Sequence, residues 1–457
     1  MTEYAALIIT VLFILYIFGK DIKRKSGISH ALWIPFIWMI YSASKPISFF
    51  IYQTPQSAKE LAYMEGNPID RTILSILILL SLYVLYKREI EWPLIFKRNI
   101  SIFLWLLYCG VSIFWSDFQI VSLKRWIKEI GLFLSVLIVL TEVEPVDAVT
   151  TLFKRFAYIM IPFSILFIVY FPKIGISYSP DTEALTYVGV AESKNGLGRI
   201  CLVAGFFFLF NLVRIRNVAK LENLKKEIFF HVLFLIMILW LLIISNSVTS
   251  LITLVIGSIV FIGLGGGVIK KNIKYIGIFI IVGIIFVFLL QMSFDFIGMF
   301  IKFQGRDWTF TGRTRLWEDL LAFRTNPWIG VGYGSFWLGK RLATLWGIYA
   351  WLPNESHNGY LNVYLELGVI GIFLLAGVIY CVYQNIKNAL KNDFYFGRFR
   401  MGMFIIALLY NITEDAIGKM TLIWFVFLLI SIDIPKNTIF EYPRNYYNLL
   451  CSSKIVE

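Results

Sequence analysis

Apolar runs long enough to cross a lipid bilayer recur along this chain. Apolar residues make up 58% of its 457 residues and charged residues only 16%, with a mean hydropathy of +0.75. Soluble domains are about half apolar and a quarter charged. Because a helix needs roughly 20 apolar residues to cross about 30 Å of hydrocarbon, the sequence predicts an all-α transmembrane bundle of about thirteen spans.

The predicted spans divide the chain into three parts. Residues 1–292 hold ten spans, residues 293–358 form one long loop, and residues 359–457 hold three spans and a tail. The four cysteines lie far apart without CxxC or Cys/His spacing, so neither a zinc site nor a disulfide framework is expected. The apolar runs lie near residues 4–19, 31–52, 71–86, 100–116, 126–141, 150–171, 195–213, 228–245, 247–266, 273–292, 359–385, 399–416 and 418–434.

Basic clusters occur in alternate connecting loops. By the positive-inside rule these loops are cytoplasmic, which puts the N-terminus and the long loop outside and the tail inside. The net charge of +13 therefore reports orientation in a lipid bilayer and does not indicate a nucleic acid partner. The clusters are Lys20–Lys25, Lys87–Arg98, Arg214–Lys226, Lys270–Lys274 and Lys387–Arg400.

Basic residues on the outer side are the exceptions to this pattern. An outward-facing group of cations favours an anionic ligand. For any single residue, the alternative is a contact with phosphates of the lipid headgroups. The outer cations are Lys124, Arg125, Lys128, Lys173, Lys194, Arg199, Lys302, Arg306, Arg313, Arg315, Arg324, Lys340 and Arg341.

The external loop between the tenth and eleventh spans has about 65 residues, a length that is usually either functional or disordered. Its aromatic composition argues against disorder. Aromatic rings suit a sugar-binding surface, and a belt at the membrane interface is the alternative for about half of them. The loop tryptophans are Trp308, Trp317, Trp328, Trp337, Trp346 and Trp351.

Two shorter patterns lie in this loop. The segment Gly312–Pro327 has the spacing of an amphipathic helix. Its predicted apolar side holds Leu316, Trp317, Leu320, Leu321 and Phe323. The sequence GVGYGS, Gly330–Ser335, superficially looks like a nucleotide-binding glycine loop, but no strand precedes it and no basic helix follows in register. We interpret it as a flexible turn.

The loop ends in NESHNGYLNVYLELG, where one of the three histidines, His357, precedes the eleventh span. A helix N-terminus suits both an anionic group and proton transfer, although a single histidine there is more often structural. Asn358, Asn362 and Glu366 recur every fourth residue and form a polar stripe. A carboxylate one or two turns deep costs about 2.5 to 3.5 kcal/mol, so Glu366 is expected to face the protein interior with a partner.

Several motifs, in a fixed order, resemble those of the O-antigen ligase and polymerase family of bacterial envelope glycosyltransferases. The likeness runs through most of the chain, and the Ser-x-Thr-Ser form at Ser247–Ser250 looks more like the exopolysaccharide polymerase branch. The motifs are Gly305–Trp317, Asn326–Phe336 and Ser356–Gly368, joined by EGNPIDR at Glu65–Arg71, Phe114–Lys128 and KNGLGR at Lys194–Arg199.

The resemblance implies a membrane glycosyltransferase of the C superfamily that uses an undecaprenyl-diphosphate-linked glycan on the periplasmic side of the bacterial inner membrane. It implies an inverting transfer to a glycan acceptor without a metal or other cofactor. His357 would remove the acceptor proton, and Arg313 would bind the diphosphate. Further cations, at Arg306 and Arg315, would assist Arg313.

One position departs from the family pattern. Many members carry Ser-Arg in the span that here begins with Ser247, whereas this chain has no arginine there. Lys194, Arg199 and Arg125 are our candidates for the missing cation. Supporting roles are expected for Glu355, Asn358, Glu366 and Glu414, and Glu414 could orient a base or an arginine or simply cap a helix.

Three functions stay open at this level. Polymerisation of the glycan leads, ligation onto a lipid A core or another acceptor is the runner-up, and transport of the same lipid-linked glycan is the more distant alternative. Transporters tend to show paired repeats and interrupted helices near the mid-membrane, and we find no such repeat. Whether a chain-length regulator binds stays open too.

Overall fold

A computed structural model of the protein describes residues 2–24, 28–51, 67–178, 183–218, 221–279 and 313–434. Within these residues the fold is a bundle of α-helices with one antiparallel hairpin, β1 (Ile176–Tyr178) and β2 (Leu185–Tyr187). The helices before the external loop are α1 (Glu3–Arg24), α2 (Trp33–Tyr41), α3 (Ile47–Ile51), α4 (Pro68–Lys87), α5 (Trp92–Arg98), α6 (Ile100–Val111), α7 (Gln119–Leu140), α8 (Pro145–Tyr170), α9 (Pro172–Gly175), α10 (Lys194–Val218), α11 (Leu221–Ser245), α12 (Val248–Gly263) and α13 (Gly267–Lys271). Those that follow are α14 (Arg313–Ala322), α15 (Gly339–Ile348), α16 (Gly359–Asn392), α17 (Phe394–Thr413) and α18 (Leu422–Ser431).

The protein is an all-α, multi-pass membrane protein. In the described part of the chain, 6 helices are long and apolar enough to cross a bilayer, or up to 7 if α5 and the segment Ile100–Trp115, bent by 88°, form one span. The shorter apolar helices α12 and α18 also coincide with predicted spans. The total of about thirteen spans stays a prediction, because most of the predicted span at 273–292 lies outside the described residues.

The centre of the bundle is formed by α10, α17 and α18. All ten residues of α18 are buried, as expected for a helix that is apolar on every side and enclosed by other helices. Gly402 of α17 lies against the ring of Phe206 in α10, where a Cβ atom would come within 2.2 Å of Phe206 Cζ. This close packing of α17 on α10 brings the start of α10 near the end of α17.

The described part of the external loop, residues 313–358, is folded around a small core of its own. Leu316 and Leu320 of α14 are fully buried with Phe336, Trp337 and Leu345. The predicted amphipathic helix is therefore present, although its Leu321 is 56% exposed. The aromatic residues in this described part of the loop form a packed core. This agrees with the argument from composition that the loop is not disordered.

The interpretation of GVGYGS as a flexible turn was wrong. Residues 331–338 are buried, and Gly332 N donates to Glu366 O at 2.8 Å. Gly330 and Gly368 both have positive φ, and a Cβ on Gly368 would lie 2.2 Å from the carbonyl carbon of Trp328. The turn and the break in α16 at Gly368 therefore interlock, which is why glycine is needed on both sides.

Candidate functional site

His357 lies in a tight turn directly before α16. Asn358 caps this helix, because its side chain accepts from Tyr360 N and Leu361 N at 3.0 Å each. The turn is held from outside by Trp317, whose indole Nε1 donates to Ser356 O at 2.8 Å. His357 itself has a φ of +51°, a conformation that a non-glycine residue adopts only when its surroundings impose it.

Two carboxylates flank the imidazole on its Nδ1 side. His357 Nδ1 lies 3.1 Å from Glu355 Oε1 and 3.8 Å from Glu414 Oε2. Burial alone would lower the pKa of His357, but the two carboxylates outweigh this effect and raise it to about 9. The two carboxylates therefore favour the protonated imidazole.

Glu414 also binds Arg313 and Asn195. Arg313 Nη2 lies 3.2 Å from Glu414 Oε1, and the same oxygen accepts from Asn195 Nδ2 at 2.9 Å. The other guanidinium nitrogen of Arg313, Nη1, donates to Thr413 O. Glu414 itself is buried, and its carbonyl accepts from Gly359 N at 3.0 Å. One carboxylate thus joins the segment 313–358, the starts of α10 and α16 and the end of α17.

The Ser-x-Thr-Ser segment at the start of α12 lies on the same side of the bundle. Thr249 Oγ1 and Thr413 Oγ1 are 2.8 Å apart, next to the carbonyl that binds Arg313. Gly198 of α10 packs on Ser247 and Ser250, so closely that a Cβ atom would lie 2.4 Å from Ser247 Cβ. The segment Ser247–Ser250, which lacks the arginine of many family members, therefore lies next to Arg313 and its partners.

Among the candidate cations at this border, Arg199 is the one that the structure brings into the site. It follows Gly198 directly and is electrostatically coupled to Glu192, Glu355 and Glu414. Guanidinium groups are suited to phosphate, because they donate in a bidentate fashion.

Arg125 lies elsewhere. Its Nη1 donates to Gly334 O in the buried glycine turn, and Gly334 N donates to Glu366 Oε2 at 2.8 Å. Asn362 Nδ2 completes the carboxylate's contacts at 3.0 Å from Glu366 Oε1. Glu366 thus has the interior position and the partners that were predicted for it.

The other predicted cations are spread out. Lys194 is half-buried at the first residue of α10, next to Asn195, and Arg315 is exposed on α14. Arg306 lies outside the described residues. The structure thus brings His357, Arg313, Glu355 and Glu414 into contact, and Arg199 lies close enough to interact electrostatically with both glutamates. Arg125 contacts the glycine turn, and Arg315 is exposed.

Sequence reasoning missed three contributors. Asn195 lies within the motif KNGLGR but was not singled out, and Thr413 precedes Glu414 in NITED. Lys419, whose charge acts on Glu355, pairs with the buried carboxylate of Asp415. A lysine four residues after an aspartate was the available signal, although that spacing is common in helices and loops alike.

The triad Glu355, His357 and Glu414 also has donor atoms of the kind that bind metal ions. Its ligand atoms all lie within 4.8 Å of one another. These residues also contact each other or Arg313: His357 Nδ1 lies 3.1 Å from Glu355 Oε1, and Glu414 Oε1 lies 3.2 Å from Arg313 Nη2. The expectation of a metal-independent site therefore stays a prediction that a chelator can test.

Comparisons with known proteins agree with the resemblance found in the motifs. Residues 232–376 match the family model described as O-Antigen ligase. Over 314 residues, 65% of this chain and 68% of the relative, the sequence is 24% identical to the exopolysaccharide production protein ExoQ of Rhizobium meliloti. The chain is thus similar to O-antigen ligase and exopolysaccharide production proteins over these parts of its length.

Proposed function

We propose that this protein transfers a glycan from an undecaprenyl-diphosphate-linked donor to a glycan acceptor at the periplasmic face of the inner membrane. The observation that carries the proposal is the cluster in which Glu355 and Glu414 flank His357 while Glu414 also binds Arg313. It combines a basic imidazole with a guanidinium group, the two functions that such a transfer requires.

We assign the roles of the two imidazole nitrogens from the positions of the carboxylates. Both approach Nδ1, which favours the tautomer with its proton on Nδ1 and leaves Nε2, at the other edge of the ring, for the acceptor hydroxyl. In the reacting form Nε2 takes the hydroxyl proton while the oxygen attacks the anomeric carbon of the donor. The bond from that carbon to the diphosphate oxygen breaks, and its electron pair leaves with undecaprenyl diphosphate. This single displacement inverts the anomeric centre.

Arg313 and Arg199 are proposed to bind the diphosphate on which this negative charge develops. Glu414 binds Arg313 and interacts electrostatically with Arg199. A diphosphate carries more charge than a carboxylate and accepts from both guanidinium groups, so it competes for the same donors. Lys194, at the start of α10, adds to the positive potential at this face.

Between the functions of this class, we favour polymerisation. The relative is named for exopolysaccharide production, and the matching family is named for the O-antigen ligase. Product length distinguishes the two, because a polymerase makes a ladder and a ligase makes a single adduct on a lipid A core or other acceptor. A transporter would form neither product.

The test uses purified protein and a lipid-diphosphate oligosaccharide. The wild-type protein is expected to extend or transfer the glycan, and His357→Ala and Arg313→Ala are each expected to reduce the rate by about 10² to 10⁴. Arg324→Ala, an exposed cation of the same external loop, is the matched control and should retain wild-type activity. Full activity of His357→Ala would remove His357 as the base.

A chelator tests the metal-independent part of the proposal. Excess chelator should leave the rate unchanged. Loss of activity that added divalent ions restore would show that Glu355, His357 and Glu414 hold a metal, as their donor atoms would allow.

A further inference from the structure

The tryptophans of the external loop differ in what their indole N–H groups do. Trp317, Trp337 and Trp346 each donate to a protein oxygen, at 2.8, 2.7 and 3.0 Å. These three rings are anchors of the loop's own core. Trp328 is 65% exposed, close to the helix break at Gly368 and away from the His357 turn.

Trp351 differs both from the three anchored tryptophans and from the exposed Trp328. Its ring centroid lies 5.6 Å from that of His357 with an interplanar angle of 36°, and the ring is half-buried. No protein acceptor for its indole N–H is found among the described residues, unlike the three anchored tryptophans. Trp351 thus sets an aromatic surface and a hydrogen-bond donor directly beside the proposed base.

The ring is held rigidly in this position. Tyr349 meets it edge-on at 5.7 Å, and the Tyr349 hydroxyl donates to Asp319 Oδ2 at 2.6 Å. The next residue, Leu352, has a φ of +50°, so the two strained non-glycine residues of the described external loop, Leu352 and His357, bracket one short turn. Backbone strain of this kind persists where the surrounding structure imposes it, often at functional sites.

We propose that Trp351 is the platform for the acceptor's terminal sugar ring. This inference rests on the proposed function and deepens it by assigning a specificity-determining residue. The apolar C–H face of a neutral pyranose would lie against the indole, which brings its hydroxyl toward His357 Nε2, while the indole N–H donates to a second hydroxyl. Aromatic side chains offer a large, rigid apolar surface with a polar edge, which suits a ligand that has both characters.

The alternative is that Trp351 serves only His357. A cationic imidazole beside an indole gains electrostatic stabilisation, so the ring could simply hold the histidine. The two roles differ in what a substitution changes. A sugar platform acts on the KM for the acceptor, whereas a support for His357 acts on kcat and on the pH profile.

The experiment measures transfer at fixed donor concentration with the full-length protein. The acceptor probe is the oligosaccharide that mild acid releases from the host cell's own lipid-linked glycan. Trp351→Ala is expected to raise the acceptor KM about three- to tenfold with kcat and the pH profile retained. Trp351→Phe should recover most of the KM, and Trp328→Ala, the exposed control, should leave it unchanged.

An unchanged acceptor KM in Trp351→Ala, or a shifted pH profile at constant KM, would overturn the proposal. Binding of the same oligosaccharide without donor, followed by saturation-transfer NMR, separates this failure from that of the proposed function. If the wild-type protein transfers no glycan but binds the oligosaccharide through Trp351, the reaction fails and the platform stands. If it transfers glycan with full activity in Trp351→Ala, only the platform fails. If the wild-type protein does not bind the oligosaccharide, both the role of Trp351 as a platform and the choice of this oligosaccharide as acceptor are wrong.

Discussion

The polar stripe of Asn358, Asn362 and Glu366 connects two regions, one around His357 and one around Glu366. Their carboxylates have different kinds of partners. At Glu366 the charge is enclosed by a backbone N–H and an amide, and the glycine turn closes over it. At His357 the neighbouring carboxylates Glu355 and Glu414 meet an imidazole and a guanidinium, whose side chains are partly exposed. The difference teaches that a carboxylate enclosed by neutral donors supports the fold, whereas one paired with partly exposed cations lies where an anionic ligand could compete for them.

The largest expected effect is on the fold of the Glu366 region. Gly368→Ala would force a Cβ to within 2.2 Å of the Trp328 carbonyl carbon and would hold alanine at a φ of +65°. Because the atom that it meets is backbone, we expect a severe loss of folded protein in detergent. Size-exclusion yield and the thermal unfolding midpoint measure this loss.

Gly377→Ala, in the same helix, is the matched control, because nothing lies within 4 Å of its added Cβ. It should fold as the wild-type protein does. A Gly368→Ala protein with wild-type yield and midpoint would show that the interlock is looser than described. The two regions would then differ less than we infer.

The second prediction concerns pH and belongs to the His357 region. If His357 must be neutral to accept a proton, the rate should rise about tenfold per pH unit below pH 8 and level off near the pKa of about 9. Glu355 is the carboxylate closest to the imidazole, at 3.1 Å, and raises its pKa. Glu355→Gln should therefore move the rising limb to lower pH, as initial rates between pH 6 and 10 would show.

The same pKa predicts a change in stability of the opposite sign. A histidine whose pKa is raised by folding stabilises the folded state fully below its unfolded pKa of about 6.5. This contribution is lost as the pH rises through about 9, so the unfolding midpoint should fall over that window. His357→Gln should flatten this fall.

A wild-type rate profile with no rising limb would contradict the assignment of His357 as base.

The third prediction separates the two candidate cations. Arg199 is coupled to Glu355 and Glu414, whereas Arg125 donates to Gly334 O in the Glu366 region. We expect Arg199→Gln to reduce the transfer rate about tenfold to a hundredfold with a nearly unchanged unfolding midpoint. Arg125→Gln should mainly lower the midpoint. Equal effects of both substitutions on rate would mean that the diphosphate contacts both regions.

Much of this arrangement could be predicted from the sequence. Apolar runs located the helices, and the four-residue spacing of Asn358, Asn362 and Glu366 predicted one buried stripe, because helix periodicity is a local property. The pairing of His357 with Glu414 was beyond such reasoning. These residues are 57 positions apart in the sequence and meet only because α16 and α17 pack together.

The error at GVGYGS has a related cause. Three glycines in six residues indicate positive φ angles, and Gly330, Gly332 and Gly334 have them, but composition does not tell whether a turn is free or enclosed. That depends on Glu366, 32 residues beyond Gly334, which accepts the Gly334 N–H. Long-range hydrogen bonds of this kind decide rigidity and are not encoded in local pattern.

The smallest expected effect concerns Arg315 and tests whether an exposed cation near the His357 region contributes to the transfer rate. Arg315 follows Arg313 by two residues and was predicted beside it, yet on a helix two residues apart lie on different sides, and Arg315 is exposed. Its charge can act on a diphosphate only through solvent, so Arg315→Ala should lower the rate less than threefold, with the residual effect weakened by salt. Initial rates at about 50 and 300 mM salt, compared with Arg313→Ala, measure the difference. A loss as large as that of Arg313→Ala would extend the diphosphate site across the outer side of α14 and would blur the boundary between the two regions.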